Sequence, residues 1–306
     1  MRLGFEIPDG YHLDFEEYLF NTGEHRKTQS ETGWRSFYLI DDEKKLVKAS
    51  CHLNEKNRIL KSPYSATFGG IDFSDNLTKE DLKNYLGEID AYLKKEEFEQ
   101  IAITLAPSIY NEARYSKLHQ ALSDNGYELK ESIPVSAIYV DEKSFDSKVN
   151  TTKKKVLRRT KSLEVQKMTL DDYPLIYKCI HQSKEEKQYN LSMTELELKK
   201  VIDSCSERIK QYAVFVGGEM AAAMICMQIA SNILYVFYSG HLPKFDKQSP
   251  LVQLYQFVYN DCKSNGIRMI DLGSSQEDGK PKQSLLDFKA SLGAHKGLKV
   301  NFIKKL

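Results

Sequence analysis

The stretch AVFVGGEMAAAMICMQIA, residues 213–230, decides the fold class of this chain. Its apolar residues form a run long enough to be mistaken for a membrane span, but Gly217, Gly218 and Glu219 interrupt it. A Gly-Gly pair between two apolar arms is a hairpin signal, and each arm is far too short to cross about 30 Å of hydrocarbon. The stretch therefore predicts two neighbouring buried strands and no membrane span.

The same order of elements occurs twice along the chain. Each half has a hairpin, then an extended run that ends in glycine, a helix, a strand and a short closing helix. In the first half the hairpin, the extended run and the helix are predicted at 36–53, 62–70 and 78–98, and in the second half at 211–230, 232–240 and 249–266. A nearly constant offset separates Gly70 from Gly240 and Gly126 from Gly293. Because this period is much longer than that of a solenoid repeat, it predicts an ancient duplication of one α/β unit with a mixed sheet.

The predicted boundary lies near residue 145. Residues 132–140, SIPVSAIYV, are predicted to form the last strand of the first unit. A basic connector helix follows at 151–162, and no Pro-rich or low-complexity linker separates the halves. The expected organisation is therefore an N-terminal unit at 1–145 and a C-terminal unit at 146–306.

Composition limits the classes of function. The 44 basic and 43 acidic residues nearly cancel, so any attraction for nucleic acid has to be local. The five Cys are scattered without a CxxC pair, which argues against a disulfide framework or a zinc site and fits a reducing cytoplasm. The seven His are also dispersed, and no metal or cofactor is assigned. The first residues lack the apolar region of a signal peptide.

Three segments carry a resemblance to a known family: KKKVLRRTKSLEVQK at 153–167, SPLVQLYQFVYNDCKSNGIRMIDLG at 249–273 and SLLDFKASLGA at 284–294. Together with the order of elements, they resemble the FemABX-like enzymes, tRNA-dependent aminoacyltransferases of peptidoglycan synthesis. The resemblance covers the second half well and the first half mainly by topology. It implies two tandem GNAT-like units and an acyltransferase that moves an acyl or aminoacyl group onto an amine.

The closing helix is predicted to be about two turns long. Ser284 and Asp287 match a capping box, and Gly293 suits the position just after the helix. Helical spacing places Lys289 at the border of one apolar face, which consists of Leu285, Phe288 and Leu292.

Two interpretations of Lys289 stay open at this stage. Its stem can cover apolar surface while its amine reaches water. The resemblance implies instead that the lysine after this phenylalanine lies near the acyl-transfer centre, where a cation stabilises the developing oxyanion. In that case Phe288 anchors the helix in the core.

The donor site departs from that of ordinary acetyl-CoA enzymes of the GNAT fold, which carry a glycine-rich loop before the central helix. The corresponding stretch, LPKFDKQSPLVQ at 242–253, has no glycine, so the usual cradle of backbone N–H groups is not expected. This favours an aminoacyl-tRNA donor, with an acyl-CoA enzyme as the rival. Ser249 at the helix start and Lys247 nearby are candidate anion contacts, although both fit an ordinary loop.

Further candidates each have a structural alternative. Lys155, Arg158 and Arg159 belong to a basic run that either grips phosphate of tRNA or of a nucleotide-linked acceptor, or is a solvated helix face. Tyr64 and Ser65 are candidates for an acceptor pocket or for a plain turn.

Tyr238 either lines the acyl slot or packs in the core, and Asp271, Glu277 and Asp278 are candidate bases that the sequence does not rank. A catalytically silent GNAT-fold binding module is the alternative from outside enzymology.

Overall fold

In a computed structural model that describes residues 1–277 and 279–306, the chain separates into two compact units. Unit 1 consists of Met1–Pro134 and Gly297–Leu306, and unit 2 of Val135–Lys296. The division therefore falls about ten residues before the predicted boundary, and the final segment of the chain belongs to unit 1. No helix among the described residues has the length and apolar character needed to cross a bilayer.

Unit 1 is a mixed sheet with helices, in the strand order β1-β3-β4-β5-β7-β16, with β2 and β6 also paired to β4. Its strands are β1 Arg2–Gly4, β2 His12–Leu13, β3 Trp34–Asp41, β4 Leu46–Lys56, β5 Ile59–Ser62, β6 Ile71–Phe73, β7 Gln100–Thr104 and the final β16 His295–Lys305, which begins at the end of unit 2. Its helices are α1 Gly23–Gln29, α2 Lys79–Lys95 and α3 Glu112–Asp124.

The hairpin predicted at 36–53 is present as β3 and β4, which pair antiparallel. Along β4 alternate residues, Ala49, Cys51 and Leu53 among them, are buried in the core of unit 1. The helix predicted at 78–98 is also present, and Thr78 and Asp81 form a capping box at its start. An alternation of apolar and polar residues along β4 and a side-chain cap at the start of α2 thus produce the elements that the sequence predicts.

Unit 2 has the strand order β8-β13-β12-β11-β10-β9. Its strands are β8 Glu128–Tyr139, which begins in unit 1, β9 Glu164–Met168, β10 Ile209–Val216, β11 Glu219–Ala230, β12 Ile233–His241 and β13 Met269–Ser274, with the short pair β14 Gln276–Glu277 and β15 Lys280–Pro281. Its helices are α4 Phe145–Lys148, α5 Thr151–Arg159, α6 Tyr173–Glu186, α7 Glu195–Ser204, α8 Pro250–Ser264 and α9 Gln283–Ser291.

The fold-deciding stretch forms β10 and β11, an antiparallel hairpin as predicted. Gly217 and Gly218 both adopt positive φ, at 60° and 83°, which is the left-handed conformation that a two-residue hairpin turn demands. Every residue of β11 from Ala221 to Met227 is fully buried in unit 2. The apolar run is therefore a core strand.

The two units repeat one topology, as the duplication predicts. β5 pairs parallel with β7 in unit 1, and β12 pairs parallel with β13 in unit 2. The next strand is antiparallel in both, β16 beside β7 and the last five residues of β8 beside β13. Each unit thus takes its last strand from the other half of the sequence, so residues 132–140, predicted as the last strand of the first unit, contribute mainly to unit 2.

One predicted element differs. Residues 62–70 are not a continuous extended run equivalent to 232–240: β5 ends at Ser62, and the chain leaves the sheet until β6 begins at Ile71. Within this excursion the Gly70 N–H donates to Ser62 Oγ at 2.9 Å and the Gly69 N–H donates to Thr104 O at 3.0 Å. These bonds hold the loop against β5 and β7.

Candidate functional site

The candidate site lies where two parallel strands of unit 2 separate. β12 and β13 pair only from Ile233 to Tyr235, and beyond Tyr235 β12 stays paired with β11 alone. A gap in the sheet therefore opens at the carboxyl end of β13. In open α/β sheets such strand ends are where ligands bind.

A one-residue bulge marks the start of this separation. Tyr238 pairs with Ile225 and Val236 with Cys226, so Phe237 has no partner on β11. Bulges bend a strand and turn a side chain toward a new direction. Farther along β12, helix α6 approaches closely because Gly240 has no side chain: a Cβ there would lie 2.8 Å from Ser183 Cβ. The bulge and the glycine together place β12 and α6 around one opening.

The opening is a cleft of about 540 Å³ that lies within unit 2. Aromatic side chains form much of its wall, and its basic groups come from α6, α9 and the end of β12. The aromatic residues are Tyr189, Tyr235, Phe237, Tyr238, Tyr255 and Phe288, and the basic ones are Lys184, Lys187, His241 and Lys289. Among the side chains that the structure describes, none of those lining the cleft is an Asp or Glu. The cleft therefore favours an anionic ligand with flat or apolar parts.

Lys289 is a buried residue and does not extend into bulk water. Its side chain is only 5% exposed, and its amine donates to Gly273 O at 2.8 Å and to Ser274 O at 2.6 Å. Burial lowers the pKa of the amine to about 8, although nearby Asp271 opposes that shift. An ammonium has three N–H donors, so these two bonds leave one for a ligand in the cleft.

The helix around Lys289 differs from the prediction in two ways. α9 begins at Gln283 with Lys282 at its cap and no side-chain cap bond, so the predicted capping box of Ser284 and Asp287 is wrong. Asp287 instead accepts from Gln283 Nε2 at 2.7 Å. Phe288 is only partly buried, because the helix turns Lys289 inward toward the carbonyl groups at the end of β13.

The predicted donor loop forms a 3-10 helix, Pro243–Gln248, whose N–H groups bond within the loop. Phe245 N donates to Leu242 O and Ser249 N donates to Asp246 O. Ser249 occupies the cap position of α8 with φ 48°, but its hydroxyl makes no cap bond to the helix. Exposed Lys247 uses its carbonyl to accept from Arg159 Nη2 at 2.8 Å.

The basic run forms helix α5, as predicted, and the side chains of Lys155, Arg158 and Arg159 are exposed. None of the three lines the unit 2 cleft. Lys153 instead lies over the Phe288 ring, 5.0 Å from its centroid. The run is thus an exposed basic surface.

Tyr64 and Ser65 lie in the 63–70 excursion of unit 1, where both backbone N–H groups donate to Gln29 Oε1 at 3.2 Å. The corresponding strand gap in unit 1 contains a cavity of about 30 Å³, lined by Tyr18, Gly69 and Arg114 among others. That volume is close to the share of one water molecule in the liquid.

Tyr238 lines the unit 2 cleft, and its hydroxyl lies 2.5 Å from Ser192 Oγ. Of the candidate bases, Asp271 is buried and accepts from Gly273 N at 2.7 Å. The Glu277 side chain and Asp278 lie outside the described residues. No group of three or more His, Cys, Asp or Glu that could hold a metal ion occurs in the part of the chain that the structure describes.

Sequence reasoning missed the basic residues at the far end of the cleft. Lys184 lies in the last turn of α6, Lys187 follows directly after that helix, and His241 ends β12. The i,i+3 spacing of the two lysines was the available signal. Nothing in the local sequence marks α6 as a cleft wall, because that depends on the close approach at Gly240.

Comparison with known proteins identifies the class. Residues 150–288 match the family model of the Acetyltransferase (GNAT) domain. The structure has a tandem GNAT fold, as predicted. The family match also bears out the predicted class of enzyme, an acyltransferase. No curated protein matches the chain.

Three solved structures share this fold. The crystal structure of FemX has a TM-score of 0.75 at 12% identity, over 94% of this chain and 92% of that one. The C-terminal domain of a putative lysylphosphatidylglycerol synthetase from Agrobacterium fabrum has a TM-score of 0.56 at 10% identity, covering 92% and 87%. A tandem GNAT protein from the clavulanic acid biosynthesis pathway has a TM-score of 0.51 at 10% identity, covering 89% and 82%. At these identities the likeness concerns the fold alone.

Proposed function

We propose that this protein transfers an aminoacyl group from aminoacyl-tRNA to the amine of a small-molecule or nucleotide-linked acceptor, with the chemistry in the unit 2 cleft. The observation that carries the proposal is the separation of β12 and β13, which opens a cleft of about 540 Å³ beside the buried amine of Lys289. The acceptor amine attacks the ester carbonyl of the donor. A C–N bond forms, the C–O bond to the tRNA ribose breaks, and the amine proton passes to the leaving hydroxyl.

Lys289 is the proposed oxyanion stabiliser. The carbonyl oxygen gains negative charge when the amine attacks, and a fixed cation in a poorly solvated site stabilises that charge. With a pKa of about 8 the amine is mainly protonated at neutral pH, and two carbonyl acceptors hold it in place. Preorganised donors of this kind cost no reorganisation when the reaction occurs.

Two features support tRNA over CoA as the donor. In the 243–249 segment the N–H groups of Phe245 and Ser249 make internal bonds, and Pro243 and Pro250 have none to give, so a pyrophosphate lacks the usual cradle. The exposed side chains of Lys155, Arg158 and Arg159 offer cations to a phosphate backbone instead. Lys247 and Ser249 would add contacts beside them, and Tyr238 would line the acyl slot. The acceptor pocket at Tyr64 and Ser65 stays a prediction. The cytoplasmic location expected from the sequence stays a prediction.

The deciding experiment offers the pure protein two labelled donors in parallel, a pool of aminoacyl-tRNAs and a set of acyl-CoAs. Amine acceptors are supplied as amino acids, peptides and UDP-linked peptides, and transfer is measured as labelled amide. We expect transfer from tRNA and only weak CoA binding in calorimetry.

A matched pair of variants controls the assay. Lys289→Met removes the proposed cation, whereas Lys296→Met removes an exposed lysine of unit 2 and should leave transfer intact. Efficient transfer from acyl-CoA with micromolar affinity would contradict the tRNA proposal and promote the CoA rival. Absence of transfer from either donor, with ligand binding retained, would favour a silent binding module.

A further inference from the structure

One end of the unit 2 cleft carries a concentration of positive charge. Lys184 and Lys187 project from α6 toward the end of β12, where both line the cleft with His241. Among the side chains that the structure describes, neither amine has a carboxylate within ion-pair distance. Lys184 instead lies over the Tyr189 ring, 5.8 Å from its centroid.

The proximity of the two ammonium groups is unfavourable. Burial lowers the pKa of both lysines, and the charge of Lys187 lowers that of Lys184 further. Two like charges a helical turn apart in a partly buried wall repel each other, and the nearby carboxylates, Asp246 and Glu186, raise the pKa of Lys187 only. A bound anion would offset both the repulsion and the lost hydration.

His241 is held in a defined orientation beside the two lysines. Its backbone N–H donates to Ser183 Oγ at 3.0 Å, and its Nε2 lies 2.7 Å from Asp246 Oδ1. Asp246 therefore accepts the Nε2 proton, which leaves Nδ1 as the unprotonated ring nitrogen.

Lys187 lies above this ring. Its amine is 3.3 Å from both Nδ1 and Nε2, a distance that a donor in the ring plane cannot have to both atoms without colliding with Cε1. Burial comes first among the causes that lower the pKa of His241, followed by the charge of Lys187, while Asp246 raises it and Lys184 lowers it. Those three residues are the charged groups that face the imidazole.

We infer that Lys184, Lys187 and His241 form a subsite that binds a dianionic phosphoryl group. Two ammonium groups match a charge of minus two, and the imidazole adds a third donor once it is protonated. The assignment of that phosphoryl group to a substrate rests on the proposed function, but its binding is measured without turnover. A negative result for transfer would therefore leave the subsite intact, and the reverse also holds.

The test is an NMR titration of the full chain with inorganic phosphate at about pH 8, read on the His241 imidazole and assigned with His241→Gln. We expect saturable binding that weakens about tenfold in Lys184→Gln and in Lys187→Gln, the usual loss for one charge-assisted hydrogen bond. The matched control is Lys178→Gln, an exposed lysine of the same helix, which should bind like the wild type. Lys184→Arg keeps the charge and should retain binding within about threefold.

Two further arms define the ligand. Acetate, with one charge, should bind at least about tenfold more weakly than phosphate. AMP binding more tightly than phosphate would assign the group to a nucleotide whose base contacts the aromatic wall, and equal affinities would assign it to a small phosphate compound. Bound phosphate should raise the pKa of His241, since an anion favours the charged ring.

Three results would overturn the inference. They are absence of saturation at tens of millimolar phosphate, an equal loss in Lys178→Gln, and acetate binding as tight as phosphate.

Discussion

The same strand gap is open in unit 2 and filled in unit 1. In unit 2, β12 runs unbroken from Ile233 to His241 with one bulged residue, and the gap beside it is a cleft of about 540 Å³. In unit 1 the equivalent strand is split into β5 and β6 by the 63–70 excursion, and the gap holds about 30 Å³. A one-residue bulge accompanies the open gap, whereas an eight-residue excursion accompanies the filled one.

The closing helices of the two units, α3 and α9, also differ at one equivalent position. Gly126 follows α3 and Gly293 follows α9, both with positive φ, at 77° and 81°. Four residues before each glycine stand Leu122 in unit 1, fully buried in the core, and Lys289 in unit 2, buried against two carbonyl groups. A duplicated fold therefore keeps its packing positions while only one copy carries a charge at this position of the closing helix.

Truncating Phe68, in the 63–70 excursion of unit 1, should give the largest effect on stability. Phe68 is fully buried in the excursion, where its ring packs edge-on against Tyr18, Phe20 and Tyr110. Phe68→Ala should lower the free energy of unfolding by about 3–5 kcal/mol through the cavity it leaves, as measured by urea denaturation. Transfer per folded molecule should stay unchanged. A comparable loss of turnover in the folded fraction would mean that unit 1 takes part in the chemistry.

Replacing Lys289 by leucine, the residue at the equivalent position of unit 1, should greatly lower the transfer activity of the unit 2 cleft. Lys289→Leu should lower turnover by about two orders of magnitude, the usual loss for one oxyanion-stabilising donor, in a single-turnover transfer assay. Lys296→Leu serves as the exposed control. Full activity in Lys289→Leu would show that the charge difference between the units is not catalytic.

The same variant has a signature in pH that needs no substrate. The folded-state pKa of Lys289, about 8, lies below its usual value of 10.5, so between those pH values the unfolded chain binds more protons. Stability of the wild type should therefore rise from about pH 8 to 10.5 relative to Lys289→Leu. Parallel stability curves for the two proteins would contradict the burial of the amine.

A buried acid in unit 1 should give a pH dependence of stability with the opposite sign. Asp72 accepts from Asn21 Nδ2 and from Tyr18 N, its other oxygen has no partner among the described residues, and burial raises its pKa to about 7. The folded state then holds the proton longer than the unfolded chain, so its contribution is present below about pH 4 and lost as the pH rises through 7. Relative to Asp72→Asn, the wild type should lose at most about 1.4 kcal/mol per pH unit in that window. Equal slopes in urea titrations would show that Asp72 ionises freely.

The smallest effect is expected at the ring beside Lys289. Phe288 is only partly buried, in contrast to Phe68, so Phe288→Ala should cost about 1 kcal/mol in the same denaturation experiment. A loss of unfolding free energy as large as that of Phe68→Ala would show that Phe288 anchors the helix in the core, as the helix pattern predicts.

Local patterns account for most of the fold. The Gly217-Gly218 turn and the capped helix that begins after Thr78 depend on residues a few positions apart, and both are present. The excursion at 63–70 was not predictable, because its bonds reach Gln29 and Thr104, far away in the sequence.

The candidate site was predictable in place but not in detail. The family resemblance singled out Lys289, yet helical spacing put Phe288 inside and the lysine at the edge. The rotation of α9 is set by the carbonyl groups of Gly273 and Ser274, which no helical pattern contains. Lys184, Lys187 and His241 depend in the same way on the approach of α6 to Gly240.

Because each unit takes its last strand from the other half of the sequence, the two units complete their folding in a set order during synthesis. Unit 1 needs Gly297–Leu306, which pair with β7, and these residues leave the ribosome only after all of unit 2. Until then, one edge of β7 in the first 134 residues stays unpaired. Val135–Lys296, in contrast, can complete its sheet as soon as β13 has emerged. Although unit 1 comes first in the sequence, it finishes folding last, and during that wait its open strand is the part of the chain most exposed to wrong partners.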